Sequence, residues 1–310
     1  MSVAESRFSD PLVTADGETR AWVDLSGLKT LWFNTGTLCN LACVNCYIES
    51  TPTNDRLVYL SRDEVVAYLD EIAADGYPTT EIGITGGEPF MNPDIIAMLE
   101  ESLSRGYRVL VLTNAMRPMM KCSDELLRLK AQYGGQMVIR VSVDHFKQGL
   151  HEEERGAHSW APMMAGLYWL SVHGFSIDIA GRTRWGENAQ QLRTGFDAFF
   201  KEHGIDIDAF DEKQLMLFPE MDEDAPVPEI TDACWSILGV NPDDMMCASS
   251  RMVVKRKGDA KPSVMACTLL AYDQQFNLGE TLSDASQSVR LNHPHCSKFC
   301  VLGGGACSAG

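Results

Sequence analysis

The sequence predicts an α/β fold, an open and partial (β/α)6 barrel of the TIM type with a small cysteine-rich C-terminal extension that contains a β-hairpin. Between residues 30 and 220, short apolar runs alternate six times with helical patterns, which indicates parallel strands covered by helices. Six of the ten cysteines follow residue 221. Six units are too few to close an eight-fold barrel, and chemistry in such sheets gathers at the carboxyl ends of the strands.

The strands and helices follow one another in regular order. The first helix has the clearest limits, because Ser61 and Glu64 form a capping-box pattern and Gly76 follows its apolar stripe. A second helix is expected behind Asn92 and Pro93. The predicted strands cover residues 31–33, 81–85, 108–113, 137–143, 175–180 and 214–218, and the predicted helices cover 61–75, 93–105, 124–132, 161–173 and 187–203.

Three parts are predicted along the chain: an N-terminal extension (1–29), the partial barrel (30–220) and a cysteine-rich domain (221–310). The acidic, proline-rich stretch MDEDAPVPE, which begins at residue 221, marks the second boundary. In the last part, Cys247 and Cys267 flank an alternating run, two turn signals and a returning apolar run. This pattern predicts a hairpin that brings the two cysteines close together.

Charge and hydropathy exclude several classes of partner. A net charge of −17 argues against binding to a nucleic-acid backbone, and the basic run at residues 255–257 lies in an alternating pattern typical of a solvated strand face. Neither a signal peptide nor a run of about 18 apolar residues is visible, so we expect a cytoplasmic protein without a membrane partner. In a reducing compartment, ten cysteines favour metal ligands or catalytic thiols over disulfides.

Three cysteines stand together in CNLACVNC, residues 39–46, directly after the first predicted strand of the barrel. The C-x3-C-x2-C spacing supplies three thiolates, whereas an iron–sulfur cubane takes four ligands. One iron would therefore be open to an exogenous ligand. A zinc site that recruits its fourth ligand elsewhere is the alternative, since Cys43 and Cys46 alone have a common zinc spacing.

A glycine pair ends the second strand in ITGGEPF, residues 84–90. Gly86 and Gly87 allow the backbone to approach a ligand closely, although alone they would also suit a tight strand-to-helix turn. They come one β/α unit after the cysteine loop. With this combination, residues 30 to about 220 resemble the radical S-adenosylmethionine (radical SAM) superfamily.

The resemblance implies cofactors and the residues that hold them. Cys39, Cys43 and Cys46 would bind a [4Fe–4S] cluster whose fourth iron chelates S-adenosylmethionine (SAM), and a donor such as flavodoxin or ferredoxin would reduce it. Arg182, or else Arg184, would pair with the SAM carboxylate. The SAM site as a whole would comprise Gly86, Gly87, Glu88, Ser142, Asp144 and Arg182, although Ser142 and Asp144 could equally cap the turn that follows them.

Two further stretches resemble members of the superfamily that carry additional clusters. HEEERG, residues 151–156, matches an H-x-x-x-R-G pattern of such members, and the C-terminal cysteines resemble a SPASM or shorter twitch extension. The tail has six cysteines and lacks the usual C-x2-C-x5-C-x3-C run, so one auxiliary [4Fe–4S] cluster is expected, with zinc as the alternative. Its ligands would be Cys247 and Cys267 with two or more of Cys296, Cys300 and Cys307.

The predicted function is therefore that of a radical SAM enzyme, an oxidoreductase, isomerase or transferase acting on a small molecule. Reductive cleavage of SAM would give a 5′-deoxyadenosyl radical that abstracts hydrogen, and the auxiliary cluster would assist oxidation or bind the substrate. A maturase of a ribosomally made peptide is the alternative, placed second because only 29 residues precede the first strand. A non-catalytic zinc or iron–sulfur protein ranks last, because it leaves the GGEP motif unexplained.

Overall fold

The computed structural model describes residues 7–220 and 226–304 of the chain. An eight-stranded sheet lies at its centre, with the strand order β7-β6-β5-β4-β3-β2-β8-β9, and a separate two-stranded ribbon joins β1 to β10. The strands of these residues are β1 (Trp22–Val23), β2 (Thr30–Asn34), β3 (Glu81–Thr85), β4 (Arg108–Thr113), β5 (Met137–Ser142), β6 (Ser176–Arg182), β7 (Leu215–Phe218), β8 (Ser250–Val254), β9 (Ser263–Met265) and β10 (Val289–Arg290).

The helices alternate with strands β2 to β7 and then become short. The predicted capping box is present at the start of the first helix, where the Glu64 amide donates to Ser61 Oγ at 3.3 Å and the Ser61 amide donates to the Glu64 carboxylate at 2.9 Å. The helices are α1 (Arg62–Asp75), α2 (Ile95–Ser104), α3 (Arg117–Met120), α4 (Ser123–Tyr133), α5 (Gln148–Arg155), α6 (Trp160–Val172), α7 (Ala189–His203), α8 (Asp232–Leu238) and α9 (Met246–Ser249).

Strands β2 to β7 pair in sequence order, and every one of these pairs is parallel. All five residues of β2 are buried, as are the three consecutive residues Val109, Leu110 and Val111 of β4. Burial of successive side chains means that both faces of the sheet are covered, as a parallel sheet under helices requires. The predicted partial barrel is confirmed, and each of its six predicted strands is observed within about two residues of its expected position.

The predicted hairpin is also observed, because β8 and β9 pair antiparallel. The sequence did not predict that β8 lies parallel to β2 and so extends the sheet of the barrel. The basic run that follows β8 contacts carboxylates of the barrel part: Lys255 pairs with Glu64 and Lys257 with Asp55, each at 2.5 Å. The hairpin is thus continuous with the barrel.

The N-terminal residues pack against the C-terminal part of the chain. The fully buried Arg20 side chain pairs with Glu229 at 2.5 Å, and the Ser26 amide donates to the Ala248 carbonyl at 2.9 Å. The division into parts at residues 29 and 220 stays a prediction. Residues 7–29 nevertheless pack against the C-terminal part of the chain. In the two described ranges, we find no apolar helix of the length needed to cross a bilayer.

Candidate active site

A cavity opens at the carboxyl ends of the parallel strands. It brings together residues from the cysteine loop behind β2 and from the ends of β3, β5 and β6. Seven of the residues predicted for the cluster and SAM sites line it: Cys39, Cys43, Cys46, Gly86, Gly87, Ser142 and Arg182. Residues about 140 positions apart in the sequence therefore meet at the edge of the sheet where chemistry was expected.

The cysteine loop is fixed by backbone hydrogen bonds close to its thiols. The Cys39 amide donates to the Thr51 carbonyl at 3.0 Å, which ties the start of the loop to its return. The Leu41 amide lies 3.4 Å from Cys39 Sγ, and the Ser50 amide lies 3.3 Å from Cys46 Sγ. Amide donors directed at sulfur stabilise a thiolate, so the loop is built to hold charged sulfur.

Glu154 anchors the middle of this loop, a role that sequence reasoning missed. Its carboxylate accepts from the Asn45 amide at 2.9 Å and from the Asn45 side chain at 3.1 Å, and the Glu154 carbonyl accepts from the Val44 amide at 2.9 Å. Glu154 is fully buried and lies in α5, within the HEEERG stretch. That stretch therefore contacts the cysteine loop directly. Its H-x-x-x-R-G pattern was the sequence feature from which this contact could have been predicted.

Burial makes the Cys39 and Cys43 thiols costly to ionise. It raises the pKa of the Cys39 thiol to about 12 and also raises the pKa of Cys43, which the Arg155 guanidinium partly offsets. Arg155 lines the same cavity. Metal or cluster binding to these thiols must accordingly release protons, and the positive charge of Arg155 favours the ionised form.

Asp144 lies behind the cavity lining and pairs with two arginines of the cavity wall. Its carboxylate contacts Arg155 Nε at 2.5 Å and Arg182 Nε at 3.3 Å. Burial opposes ionisation, but the two guanidinium groups hold the pKa of Asp144 below its usual value. Both carboxylate oxygens are engaged by arginine, so Asp144 positions Arg155 and Arg182, and its predicted contact with SAM stays a prediction.

The two candidate arginines, Arg182 of β6 and Arg184 of the loop that follows, differ in their partners. Arg182 lines the cavity and donates from Nη2 to the Asn45 carbonyl at 3.1 Å. Arg184 pairs with the buried carboxylate of Glu154 and with Glu153 at 3.6 Å. Arg182 is thus the arginine whose guanidinium borders the three thiols.

Glu88 does not line the cavity and is 2% exposed. Its carboxylate accepts from Thr113 Oγ1 at 2.8 Å and from the amides of Asn114 at 2.9 Å and Phe90 at 3.2 Å. Burial raises its pKa to about 6. Glu88 thus organises Thr113 and Asn114, two cavity residues at the end of β4 that sequence reasoning had left unassigned, and its predicted contact with SAM stays a prediction.

Gly86 and Gly87 pack against the backbone that leads into the cysteine loop. The Gly87 amide donates to the Gly36 carbonyl at 2.7 Å. A Cβ atom at Gly86 would lie 2.7 Å from the same carbonyl oxygen, and one at Gly87 would lie 2.3 Å from the Leu38 carbonyl oxygen. The glycine pair is therefore required by this close approach of two loops, in addition to any contact with a ligand.

We expect Gly87→Ala to lower iron incorporation at the three-cysteine site, because the added methyl group must push the Leu38 backbone away from its position next to Cys39. Overpacking of this kind costs about 1–3 kcal/mol. Iron content after anaerobic reconstitution measures the effect. Gly135→Ala is the matched control, since a Cβ there meets no atom within 4 Å; equal iron loss in both variants would contradict the prediction.

His151 gives the fold a pH dependence. It is fully buried beside Trp160, neither ring nitrogen has a hydrogen-bond partner in the described residues, and burial lowers its pKa to about 4. Because the unfolded chain binds this proton near pH 6.5 and the folded chain does not, the His151 contribution to stability is complete above about pH 6.5 and is lost as the pH falls toward about 4.

His151→Phe should remove that contribution. Urea unfolding at several pH values should show a shallower decline for His151→Phe than for wild type below about pH 6.5, by at most about 1.4 kcal/mol per pH unit. His158→Phe provides the control, because His158 is exposed. Parallel pH profiles for wild type and His151→Phe would contradict the prediction.

Four of the predicted auxiliary ligands surround a second, smaller cavity with about 320 Å³ of space not filled by atoms. Cys247 and Cys267 lie on it from either side of the hairpin, as predicted, and Cys296 and Cys300 come from the helical turn Cys296–Val301. Burial raises the pKa of Cys247 to about 11. Cys307 lies outside the described residues.

Two aromatic side chains of the C-terminal part contact the barrel. Phe299, between Cys296 and Cys300, stacks on Phe218 at the end of β7 with ring centroids 6.1 Å apart. Tyr272 donates from its hydroxyl to the Ile48 carbonyl at 2.8 Å, two residues beyond Cys46. The tail cysteines thus lie beside the carboxyl edge of the barrel.

The donor set at the first cavity fits an iron–sulfur cubane with one open iron. Its described lining contains three cysteines and no histidine, and two arginines and several hydroxyl and amide groups line the same space. Within residues 7–220 and 226–304, no group of three or more His, Cys, Asp or Glu side chains is placed to hold a single metal ion.

Comparison with known proteins identifies the class to which this fold and site belong. A model of the radical SAM superfamily matches residues 33–182, which include the cysteine loop, the glycine pair and strands β3 to β6. With the parallel partial barrel, this match shows that residues 33–182 form a radical SAM domain. A [4Fe–4S] cluster and SAM are the cofactors of that superfamily, and the residues of the first cavity suit both.

Particular relatives extend the similarity beyond this region. AlbA, the antilisterial bacteriocin subtilosin biosynthesis protein of Bacillus subtilis (strain 168), is 26% identical over 283 residues, 84% of this chain and 59% of AlbA. The AdoMet-dependent heme synthase of Methanosarcina barkeri (strain Fusaro / DSM 804) is 31% identical over 145 residues, 46% of this chain and 38% of the synthase.

Solved structures share the fold. SuiB of Streptococcus suis bound to precursor peptide SuiA superposes with a TM-score of 0.59 at 14% identity, covering 83% of this chain and 63% of SuiB. At this identity the likeness shows the fold alone. The chain spans less than two thirds of the length of each of these three proteins.

Proposed function

We propose that this chain is a radical SAM enzyme that binds its [4Fe–4S] cluster through Cys39, Cys43 and Cys46 and SAM in the adjoining space. The observation that carries the proposal is the meeting of three thiols, Gly87 and Arg182 in one cavity at the carboxyl ends of parallel strands. When bound, these cofactors supply a carbon-centred radical that takes a hydrogen atom from an unactivated C–H bond.

The residues of the chain bind and shield these cofactors. The Arg182 guanidinium, held by Asp144 and by the Asn45 carbonyl, supplies a positive charge for a carboxylate in the cavity, and Ser142 presents a hydroxyl at the end of β5. Arg155 places a positive charge beside the thiols that must ionise. Asp144 and Glu154, both buried, hold these arginines and the cysteine loop in place. A site sunk at the end of the barrel keeps water from a reactive radical.

For the second cavity we propose one auxiliary [4Fe–4S] cluster on Cys247, Cys267, Cys296 and Cys300. Four thiols around one enclosed space match the four ligands of a cubane, whereas the first cavity offers three. A site with all four positions taken by protein suits electron transfer better than direct substrate binding. Its position beside the barrel edge supports a role in accepting an electron from substrate, which gives a net oxidation.

For the substrate we propose a ribosomally made peptide. Sequence analysis had placed a small molecule first, because of the few residues before the first strand. The similarity to a bacteriocin biosynthesis protein runs through 84% of this chain and supports the peptide instead. A small molecule is the second candidate, favoured by the similarity of 46% of the chain to a heme synthase.

Anaerobic reconstitution followed by reduction with dithionite in the presence of SAM tests the proposal. We expect 5′-deoxyadenosine and methionine, and a mass change of about 2 Da or another defined change in a short peptide encoded beside the gene. Absence of 5′-deoxyadenosine with several reductants would refute the proposal that the chain is a radical SAM enzyme. Deoxyadenosine formation that responds to a metabolite of the neighbouring genes, and not to peptide, would select the small molecule.

A further inference from the structure

A groove on the outside of the barrel differs in charge from the rest of the protein. We call it the Arg117–Lys121 groove; it is lined by Asn40, Phe90, Met91, Arg117, Pro118 and Lys121. The chain carries a net charge of −17, yet the two ionisable side chains of this groove are both cations. Both residues are exposed, and within the described residues neither forms an ion pair of 4.0 Å or less.

Carboxylates of the neighbouring surface do not cancel these charges fully. The adjoining groove shares Lys121 and adds Glu100 and Glu125. Glu100 is held in a bidentate pair by Arg128, at 2.7 and 2.9 Å, and its charge is thereby compensated. Among the residues that line the two grooves, Arg117 and Lys121 then stand with one uncompensated carboxylate, that of Glu125, and the lining keeps a net positive charge.

The groove also lies next to the cysteine loop. Asn40, an exposed residue on its wall, directly follows Cys39 in the chain. Asn114 Nδ2 lies 3.0 Å from Asn40 Oδ1 and 3.9 Å from Cys39 Sγ. One residue therefore separates the surface of the groove from a thiol of the first cavity, and Glu88 holds that residue through its amide at 2.9 Å.

We infer that the Arg117–Lys121 groove is the docking surface of an acidic one-electron carrier protein. The inference rests on the proposed function, which needs an electron at the cluster beside Cys39. In this step the carrier loses one electron and the cluster gains one, with no bond made or broken. Electron transfer through protein slows steeply with distance, so a carrier must dock close to the cysteine loop.

The composition of the groove suits a transient protein contact. Phe90, Met91 and Pro118 provide an apolar floor, and the two cations stand at its rim. Opposite charges at such a rim raise the association rate more than the final affinity. A positive patch on a strongly acidic chain also sets the orientation, because an acidic carrier is repelled by most of the remaining surface.

Charge reversal in the double variant Arg117→Glu/Lys121→Glu tests the inference, with reduced flavodoxin and its NADPH-dependent reductase as the probe. Stopped-flow absorbance should show that flavodoxin reduces the variant at least about ten times more slowly than wild type at low salt. The dithionite-driven yield of 5′-deoxyadenosine should stay unchanged, which also reports an intact fold. The control is Lys201→Glu/Lys261→Glu, an equal charge change at two lysines that are 75% and 74% exposed.

Binding of flavodoxin, measured by calorimetry without SAM or turnover, gives an independent readout. At about 50 mM salt the charge-reversal variant should bind about ten times more weakly than the control, and at about 0.5 M salt the difference should vanish. Equal binding and equal reduction rates in variant and control would overturn the inference, as would a variant that changes only the KM of the peptide.

Failure of the proposed function would look different from failure of this inference. If dithionite gives no 5′-deoxyadenosine from wild type, the proposed function fails, whatever flavodoxin does. If dithionite supports wild-type turnover but the charge reversal has no effect on flavodoxin, the docking surface lies elsewhere and the proposed function stands.

Discussion

Replacing Cys39, Cys43 and Cys46 together by alanine is expected to lower the iron content of the reconstituted protein from about eight to about four per chain and to abolish SAM cleavage. The three thiols line the first cavity, and the second cavity keeps its own four cysteines. Iron and sulfide analysis, with 5′-deoxyadenosine measured by chromatography, would record both effects.

Cys122→Ala is the matched control for this experiment. Cys122 lies at the start of α4 and lines neither cysteine cavity, so its loss should leave iron content and SAM cleavage as in wild type. A wild type with about four irons and a triple variant with none would rule out the auxiliary cluster. An unchanged iron content in the triple variant would refute the assignment of the first cavity.

The second large effect is expected at Asp144. In Asp144→Ala, Arg155 and Arg182, whose side chains are only 13% and 14% exposed, are left without the carboxylate that both contact. Removing one partner of a buried ion pair costs about 3–5 kcal/mol, because the remaining charge is left uncompensated. Urea unfolding of the anaerobic apoprotein at neutral pH should show a loss of this size in the free energy of unfolding.

Asp197→Ala supplies the comparison for Asp144→Ala. Asp197 pairs with Lys201 at 2.8 Å, but the lysine side chain is 75% exposed, so solvent screens the pair. Loss of such a pair should cost less than about 1 kcal/mol. Similar losses in the two variants would show that the arginines find other partners and that Asp144 does not position them.

The order of the strands and the location of the site were accessible from the sequence. Local patterns sufficed for β2 to β7, because each strand buried on both faces is a continuous apolar run and each helix carries its own stripe and caps. The capping box at Ser61 and Glu64 shows how local such information is. Parallel topology then placed the cysteine loop and the glycine pair at the same edge of the sheet.

The partners of buried charges were not accessible in this way. Glu88 and Asp144 were predicted to contact SAM, which stays a prediction, and the sequence did not show that Glu88 holds Thr113 and Asn114 or that Asp144 holds two arginines. A carboxylate at the end of a strand has the same sequence signature whether it faces a ligand or a neighbouring loop. Which of these it does depends on residues that approach it from other units of the barrel.

By itself, the sequence determined the barrel, the hairpin and the set of thiols, since each depends on residues close together in the chain. The tertiary structure decided that β8 extends the barrel sheet, that Glu154 holds the loop between Cys43 and Cys46, and that four tail cysteines share one cavity. These contacts join residues tens to hundreds of positions apart. No local pattern encodes such contacts, because they arise only when packing brings the elements together.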